Sequence, residues 1–224
     1  MNGSTTKSRR RPRGVGRPPE ADDRDLRREL LDRALECFAR EGIAATSMRK
    51  IAEEAGVTPA MMHYYFGDKS QLVETLIGER ISPAIGAMRD GLQTADDEDP
   101  RSLARAFVQN AFQVIAANPW LPPLWVREVL SEGGAFRELL IEIVGPVIPQ
   151  ALAARFISMH AQGRLAAGID PQQLIISLIG LTMFPAAAAP IWSRMFGQSL
   201  SLERLQTHAI AVLDQALAPM TEDG

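Results

Sequence analysis

Three helix starts fall within residues 42–69, and this density constrains the fold more than any other feature of the chain. A first short helix is predicted to begin at Thr46 or Ser47, because a hydroxyl there can accept hydrogen bonds from the free amides of the first turn. Gly56 is predicted to end that helix, since glycine readily takes the left-handed conformation that turns the chain sharply. The segment must therefore fold as short helices joined by tight turns.

The second short helix is predicted to begin after Thr58, with Pro59 at a first position where a missing N–H costs nothing. It runs to about Tyr65, and Asp68 then caps a third helix, with Gln71 three residues further on. Two short helices joined by a glycine turn and followed by a third have the layout of a helix-turn-helix DNA reader. On spacing alone, an ordinary helical corner fits the same residues.

Charge is divided unevenly along the chain. Residues 1–19 carry six cations and no acid, although the whole chain has a formal charge of −3. An arm this rich in Pro and Gly buries too little apolar surface to fold, and it is predicted to stay mobile until it meets a polyanion. We expect Arg13 and Arg17 to contact DNA, with the flat cationic segment around Arg17 suited to a narrow A·T minor groove. A solubilising tail is the alternative.

A longer helix precedes these signals, and apolar residues recur along it at steps of four. They are Leu26, Leu30, Ala34 and Phe38. Cys37 is the single cysteine, so it forms no internal disulfide and is predicted to pack as a small apolar residue. With this helix, residues 24–72 resemble the DNA-binding domain of the TetR/AcrR family of bacterial transcriptional regulators. The residues that carry the resemblance are Leu31, Ala34, Phe38, Gly42, Thr46, Ser47, Ile51, Ala52, Ala55, Gly56, Val57, Tyr65, Phe66 and Lys69.

The resemblance implies that the helix from Pro59 to Tyr65 lies in the major groove of DNA. It also implies phosphate contacts from Thr46, Ser47 and Lys69. Arg49 is the best candidate for a bidentate hydrogen bond to guanine. His63 replaces an aromatic residue, usually tyrosine, of the family, and a solvent-facing or packing role is its alternative. The predicted DNA-binding residues are Arg13, Arg17, Thr46, Ser47, Arg49, Thr58, Pro59, Ala60, Met61, His63, Tyr64 and Lys69.

Past residue 72 the chain keeps a helical period, and it contains no period-2 alternation bounded by hairpin turns. The predicted fold is therefore all-α, with an N-terminal three-helix helix-turn-helix DNA-binding domain and a larger C-terminal helical ligand-binding and dimerisation domain. The predicted limits are a disordered basic arm over 1–22, the DNA-binding domain over 23–70 and the C-terminal domain over 71–224.

Aromatic and methionine residues of the C-terminal part are predicted to line an apolar ligand pocket, with Arg127 and Glu128 as polar anchors. Plain core packing is the alternative, because such residues at helical spacing are often simply buried. The predicted lining residues are Met88, Phe107, Phe112, Trp120, Trp125, Glu128 and Phe136.

Residues 171–193 contain no charge, and their length alone would allow a membrane span. Pro185, Pro190 and the absence of a second apolar segment argue against a span. We expect instead a helix between its own core and a second copy of the protein, which the resemblance supports and to which an intrachain bundle is the alternative. The predicted dimer residues are Leu174, Leu178, Leu181, Leu205, Ala209, Val212 and Ala216.

The expected function is that of a cytoplasmic, ligand-responsive transcriptional regulator, a repressor that binds a palindromic DNA operator as a homodimer and is released by an apolar or amphipathic small molecule. A constitutive or architectural DNA-binding protein without ligand control is the alternative. The three histidines lie far apart and no hydrolase or phosphate-loop motif is present, so no enzyme, metal site or cofactor is expected.

Removal of residues 1–19 is expected to weaken DNA binding and to flatten its salt dependence. Each cation that neutralises a phosphate releases condensed counterions, so losing cations lowers the slope of log affinity against log salt. Titration of DNA binding at several salt concentrations measures this slope. An unaltered slope would show that the arm takes no part in binding.

Overall fold

The computed structural model describes residues 19–218 except 94, 97 and 167. The all-α fold predicted from the sequence is confirmed, and the described part of the chain contains no strand. Its first half comprises α1 (Pro19–Glu41), α2 (Met48–Glu54), α3 (Pro59–Phe66), α4 (Lys69–Leu76), the π-helical turn π1 (Ile77–Ile81), α5 (Ser82–Leu92) and α6 (Pro100–Ala117). Its second half comprises α7 (Leu121–Trp125), π2 (Val126–Leu130), α8 (Arg137–Leu139), π3 (Leu140–Val144), α9 (Gly145–Val147), α10 (Pro149–Ala161), α11 (Pro171–Phe196) and α12 (Leu202–Ala216).

The predicted capping signals account for the short helices of the N-terminal part. The hydroxyl of Ser47 accepts from the N–H of Lys50 at 3.2 Å, so Ser47 rather than Thr46 caps α2. Gly56 has φ +68°, and the chain turns there as predicted. The carboxylate of Asp68 accepts from the N–H of Gln71 at 3.0 Å and caps α4.

The first apolar core lies between α1 and the short helices that follow it. The buried face of α1 packs on apolar residues of α2, α3 and α4, and α4 carries Leu72 and Leu76 into the same core. Leu124 and Phe136, from far along the chain, are buried in it as well. The domain limit predicted at residue 70 stays a prediction, because α4 crosses it without a break in the core.

Two charged contacts tie α1 to the π1 turn. The guanidinium of Arg27 donates to both carboxylate oxygens of Glu79, at 2.8 and 2.6 Å, and this contact holds the pKa of Glu79 below its usual value. One turn further along α1, Asp32 accepts from Arg80 at 2.7 Å. Arg27 also lies 5.4 Å from the ring centre of Phe66, so it joins α1, α3 and π1 at one point.

A second apolar core fills the C-terminal part, with α6 at its centre. Both sides of α6 carry buried apolar residues, and it packs on α5, α11 and α12. Arg105 on α6 donates to the carboxylate of Asp214 on α12 at 2.6 Å. The side chain of Asn110 donates to the carbonyl of Met88 at 2.6 Å and thereby fixes α5 against α6.

The longest helix, α11, is buried on one face and exposed on the other. It is long and apolar enough to cross a membrane, but Leu174, Leu178 and Thr182 are buried in the core of the chain itself. Three residues predicted for the dimer interface, Leu174, Leu178 and Ala209, therefore cannot form one, because they already pack within this chain. Of the others, Leu181 and Leu205 are half-buried, and Val212 and Ala216 are exposed.

Cys37 lies in the first core, as predicted, with no exposed surface. Its Sγ donates to a carboxylate oxygen of Glu54 at 3.3 Å. Burial, reinforced by this carboxylate, raises the pKa of the Cys37 thiol to about 11. The thiol therefore stays protonated at physiological pH.

Cys37 is expected to react with Ellman's reagent at pH 8 at least about 100-fold more slowly in the native protein than in urea. The thiolate is the reacting form, and raising the pKa from 9.0 to about 11 lowers its fraction at pH 8 by about that factor. The absorbance of the released thionitrobenzoate follows the reaction. Equal rates in the native and unfolded protein would contradict the burial of this thiol.

Candidate functional site

One exposed surface is formed by the outer faces of α2 and α3. The inner face of α2 packs into the core through Met48, Ile51 and Ala52. Ser47 and Arg49 therefore point outward and are exposed. The packing of α2 thus determines which side chains can meet a partner.

The Arg49 side chain is 80% exposed, and its Nε donates to Glu53 one turn later at 2.8 Å. This is an exposed pair of the i,i+4 kind, which contributes little to stability. The guanidinium can therefore leave Glu53 for another acceptor at small cost.

The α3 helix is buried on one side through Met62 and Phe66 and open on the other. Pro59, Ala60 and His63 are exposed, and Met61 is half-buried. Tyr64 is 78% exposed, a large aromatic side chain presented to solvent. Among the described residues, no other helix covers this face of α3, so it has room to lie against another molecule.

His63 is exposed, but its ring is held by its own helix end. Its Nδ1 lies 2.6 Å from the carbonyl oxygen of Gly67, so this nitrogen is occupied and Nε2 remains for a partner. Beside it, the rings of Tyr64 and Tyr65 meet edge to face with centres 5.1 Å apart. These contacts restrict the orientation of both outward side chains.

The prediction that Thr46 grips a phosphate is wrong. Thr46 is buried and its hydroxyl donates to the carbonyl of Gly42 at 2.7 Å, so it closes the loop between α1 and α2 instead. Thr58 occupies the start of α3 without a side-chain capping bond, and its side chain is exposed. Lys69 donates to the carbonyl of Ala44 at 3.1 Å. Arg13 and Arg17 lie outside the described residues.

A cavity lies between α5, α6, the α7 to π3 segment and α11. Its empty volume is about 1010 Å³ including its opening to solvent, and no charged side chain is among the described residues that line it. Five of the predicted lining residues are in its wall: Met88, Phe107, Trp120, Trp125 and Phe136.

Three predictions for this cavity are wrong. Phe112 is buried in the C-terminal core but does not reach the cavity. Arg127 is exposed and is not part of the wall. Glu128 is buried, yet its carboxylate accepts from backbone N–H groups outside the cavity and so cannot anchor a ligand inside it.

All three π-helical turns contribute to the cavity wall. Ile81 ends π1, Val129 lies in π2, and Leu140 and Val144 bound π3. Such turns are frequent at functional sites, because the extra residue shifts the faces of the flanking helices. No pattern of apolar spacing signals them, and the sequence therefore did not single out Ile81, Leu140 or Val144.

Three residues of the wall are also buried in the first core. Leu124 and Phe136 face the cavity and pack against the helices of the N-terminal part. Ile81 does the same from the end of π1. The cavity and the exposed α2–α3 surface are thus joined by one continuous apolar layer.

Residues 30–76 match the family model for bacterial regulatory proteins of the tetR family. The chain is 32% identical over 104 residues to the HTH-type transcriptional regulator BetI of Rhizobium meliloti, covering 45% of this chain and 48% of BetI. It is 31% identical over 116 residues to the HTH-type transcriptional repressor KstR2 of Rhodococcus jostii, covering 50% of this chain and 56% of that protein. The matches thus span about half the length of these curated relatives.

Solved structures resemble the chain over most of its length. The ketosteroid transcriptional regulator KstR2 of Mycobacterium tuberculosis matches with a TM-score of 0.70 at 19% identity, over 86% of this chain and 95% of that one. The transcriptional regulator FadR of Bacillus subtilis, in complex with stearoyl-CoA, matches with a TM-score of 0.61 at 18% identity, over 84% and 98%. At these identities the likeness concerns the fold.

Proposed function

Since the chain belongs to the TetR family by its N-terminal domain, we propose that it regulates transcription by binding an operator through the exposed faces of α2 and α3. The observation that carries the proposal is the outward face of α3, where Pro59, Ala60, His63 and Tyr64 are exposed. Its width suits the major groove, which admits one α-helix. Ala60 and Met61 offer apolar contact to thymine methyl groups, and Arg49 offers two donors to guanine.

The cavity supports control by a small, apolar effector. Its wall is formed by aliphatic and aromatic side chains without a charge, so hydrocarbon binds there and an ionised group does not. Relatives named for ketosteroid control and for a stearoyl-CoA complex share this fold. Release of the operator on binding, the behaviour of a repressor, requires that the effector prefer the conformation that does not fit DNA.

The exposed face of α11 supports a homodimer. Ile176, Phe184, Ile191 and Met195 are all exposed. At about 100° per residue, they fall within about 100° of one another around the helix axis, opposite the face that packs into the core. An apolar stripe of this kind is what a second copy would cover, and a two-fold dimer presents two α3 helices to a palindromic site. Cytoplasmic localisation follows from the proposed access to DNA.

Replacing Arg49 with Ala is expected to weaken binding of a selected operator by roughly 5- to 150-fold, the value of one bidentate contact to guanine. The operator is obtained by selection from a random DNA pool, and fluorescence anisotropy at fixed salt measures its affinity. Glu53→Ala is the matched control, because it breaks the same ion pair and keeps the guanidinium, so binding should not fall. Failure to enrich any sequence would contradict the proposed function, and equal affinity of Arg49→Ala and the wild type would contradict the placement of the reading surface.

Replacing Phe184 or Ile191 with Asp is expected to give a monomer at micromolar concentration, since a charge on the stripe opposes its burial. Light scattering gives the mass, and operator affinity should fall together with it. Ile141→Asp is the control, because Ile141 is similarly exposed but lies outside α11. A wild-type monomer, or dimers of both α11 variants, would refute this interface.

A further inference from the structure

Glu128 is a buried carboxylate at the contact between the two halves of the chain. It lies on π2 and is 5% exposed. A charged group this deeply buried must be hydrogen-bonded, and both of its oxygens are. Oε1 accepts from the backbone N–H of Ile43 at 2.7 Å, and Oε2 accepts from the backbone N–H of Ala135 at 3.0 Å.

The first of these bonds joins π2, which carries the cavity-wall residue Val129, to the loop before α2. Ile43 lies in the loop that joins α1 to α2, and this loop ends at Ser47, the cap of α2. Gly42, with φ +93°, lies close to this carboxylate: a Cβ there would lie 3.1 Å from Oε1 of Glu128.

The second bond fixes the turn that follows π2. A Cβ on Gly134 would lie 2.3 Å from the carbonyl oxygen of Glu128. The turn therefore approaches the Glu128 backbone more closely than a residue with a Cβ could without a shift. The N–H of Phe136 donates to the same carbonyl at 2.9 Å. Glu128 therefore holds Ala135 and Phe136 by side chain and backbone together.

The neighbours of this carboxylate along the chain form the cavity wall. Trp125 ends α7, three residues before Glu128, Val129 follows Glu128 on π2, and Phe136 follows Ala135. A ligand that pushes on any of these three side chains displaces the backbone that carries the carboxylate or the N–H that holds it. The bond to Ile43 connects that backbone to the loop before α2.

We propose that Glu128 is the positioning residue that transmits occupancy of the cavity to the DNA-binding part, through its hydrogen bond to the N–H of Ile43. This proposal rests on the proposed function and names its means of regulation. In the empty state the bond holds the loop before α2 in register, and a ligand that moves π2 or the following turn breaks it. The coupling is reciprocal, so operator binding weakens ligand binding through the same bond.

The test uses Nile red, a neutral apolar dye, as the occupant of the cavity. Amide hydrogen exchange is measured by two-dimensional NMR in the wild-type protein with and without the dye. The N–H of Ile43 is expected to exchange at least fivefold faster when the dye is bound. Thr46 is the internal control, because its N–H bonds within the loop, to the carbonyl of Gly42, and should not accelerate.

Two variants separate the bond from general stability. Glu128→Gln has one acceptor oxygen in place of two and cannot hold both amides, so Ile43 should exchange fast without dye and gain no more than twofold with it. Thr46→Val is the matched control, because it removes the other buried hydrogen bond of the same loop and leaves Glu128 in place. Its response at Ile43 should equal that of the wild type.

Each result decides the proposal. Dye that binds the wild type without accelerating Ile43, or that accelerates Ile43 and Thr46 equally, overturns it while leaving the proposed function intact. A Glu128→Gln protein that responds as the wild type does also overturns it. A wild-type protein that takes up no dye in the cavity overturns the effector part of the proposed function and this coupling with it. Because the first measurement uses wild-type protein, the test does not depend on the folding of a variant.

Discussion

The apolar contact of α1 with the α7 to π2 segment determines how the two halves of this chain relate. Leu124 and Phe136 are buried among the N-terminal helices and face the cavity on their other side. A rearrangement of side chains in one half therefore changes the packing of the other, because the same layer of side chains belongs to the first core and to the cavity wall. Close-packed interiors deform little within one arrangement, so a change at the cavity appears as a shift of whole segments.

The local signals of the N-terminal part were predictable because each depends on a few adjacent residues. Ser47, Gly56 and Asp68 act through hydrogen bonds and backbone angles within one turn, and the structure places them as the sequence indicates. The role of Thr46 was not predictable in this way. A hydroxyl near a helix start can cap the helix, or it can hydrogen-bond within the preceding loop. Which of the two occurs depends on whether the side chain faces the core or solvent.

Predictions that depend on distant segments were less accurate. Residues 171–193 are apolar on every side, so periodicity could not tell the face that meets the core from the face that meets solvent. The sequence pattern therefore places Leu174 and Leu178 on the wrong face. A carboxylate among aromatic residues predicts a ligand anchor at Glu128, whereas its partners are backbone amides, which no sequence pattern displays.

Under the proposed function, the ion pair of Arg49 and Glu53 affects the search along DNA that precedes operator binding. A guanidinium that already has a carboxylate neighbour gains little from a lone phosphate, because one exposed anion replaces another of comparable strength. A bidentate contact to guanine contributes about 1–3 kcal/mol to discrimination between bases, which is more than the exposed Arg49–Glu53 ion pair contributes to stability. If Arg49 reads DNA as proposed, Glu53 competes with phosphate for its guanidinium, which would shorten the residence time on random sequence and leave that on the operator nearly unchanged.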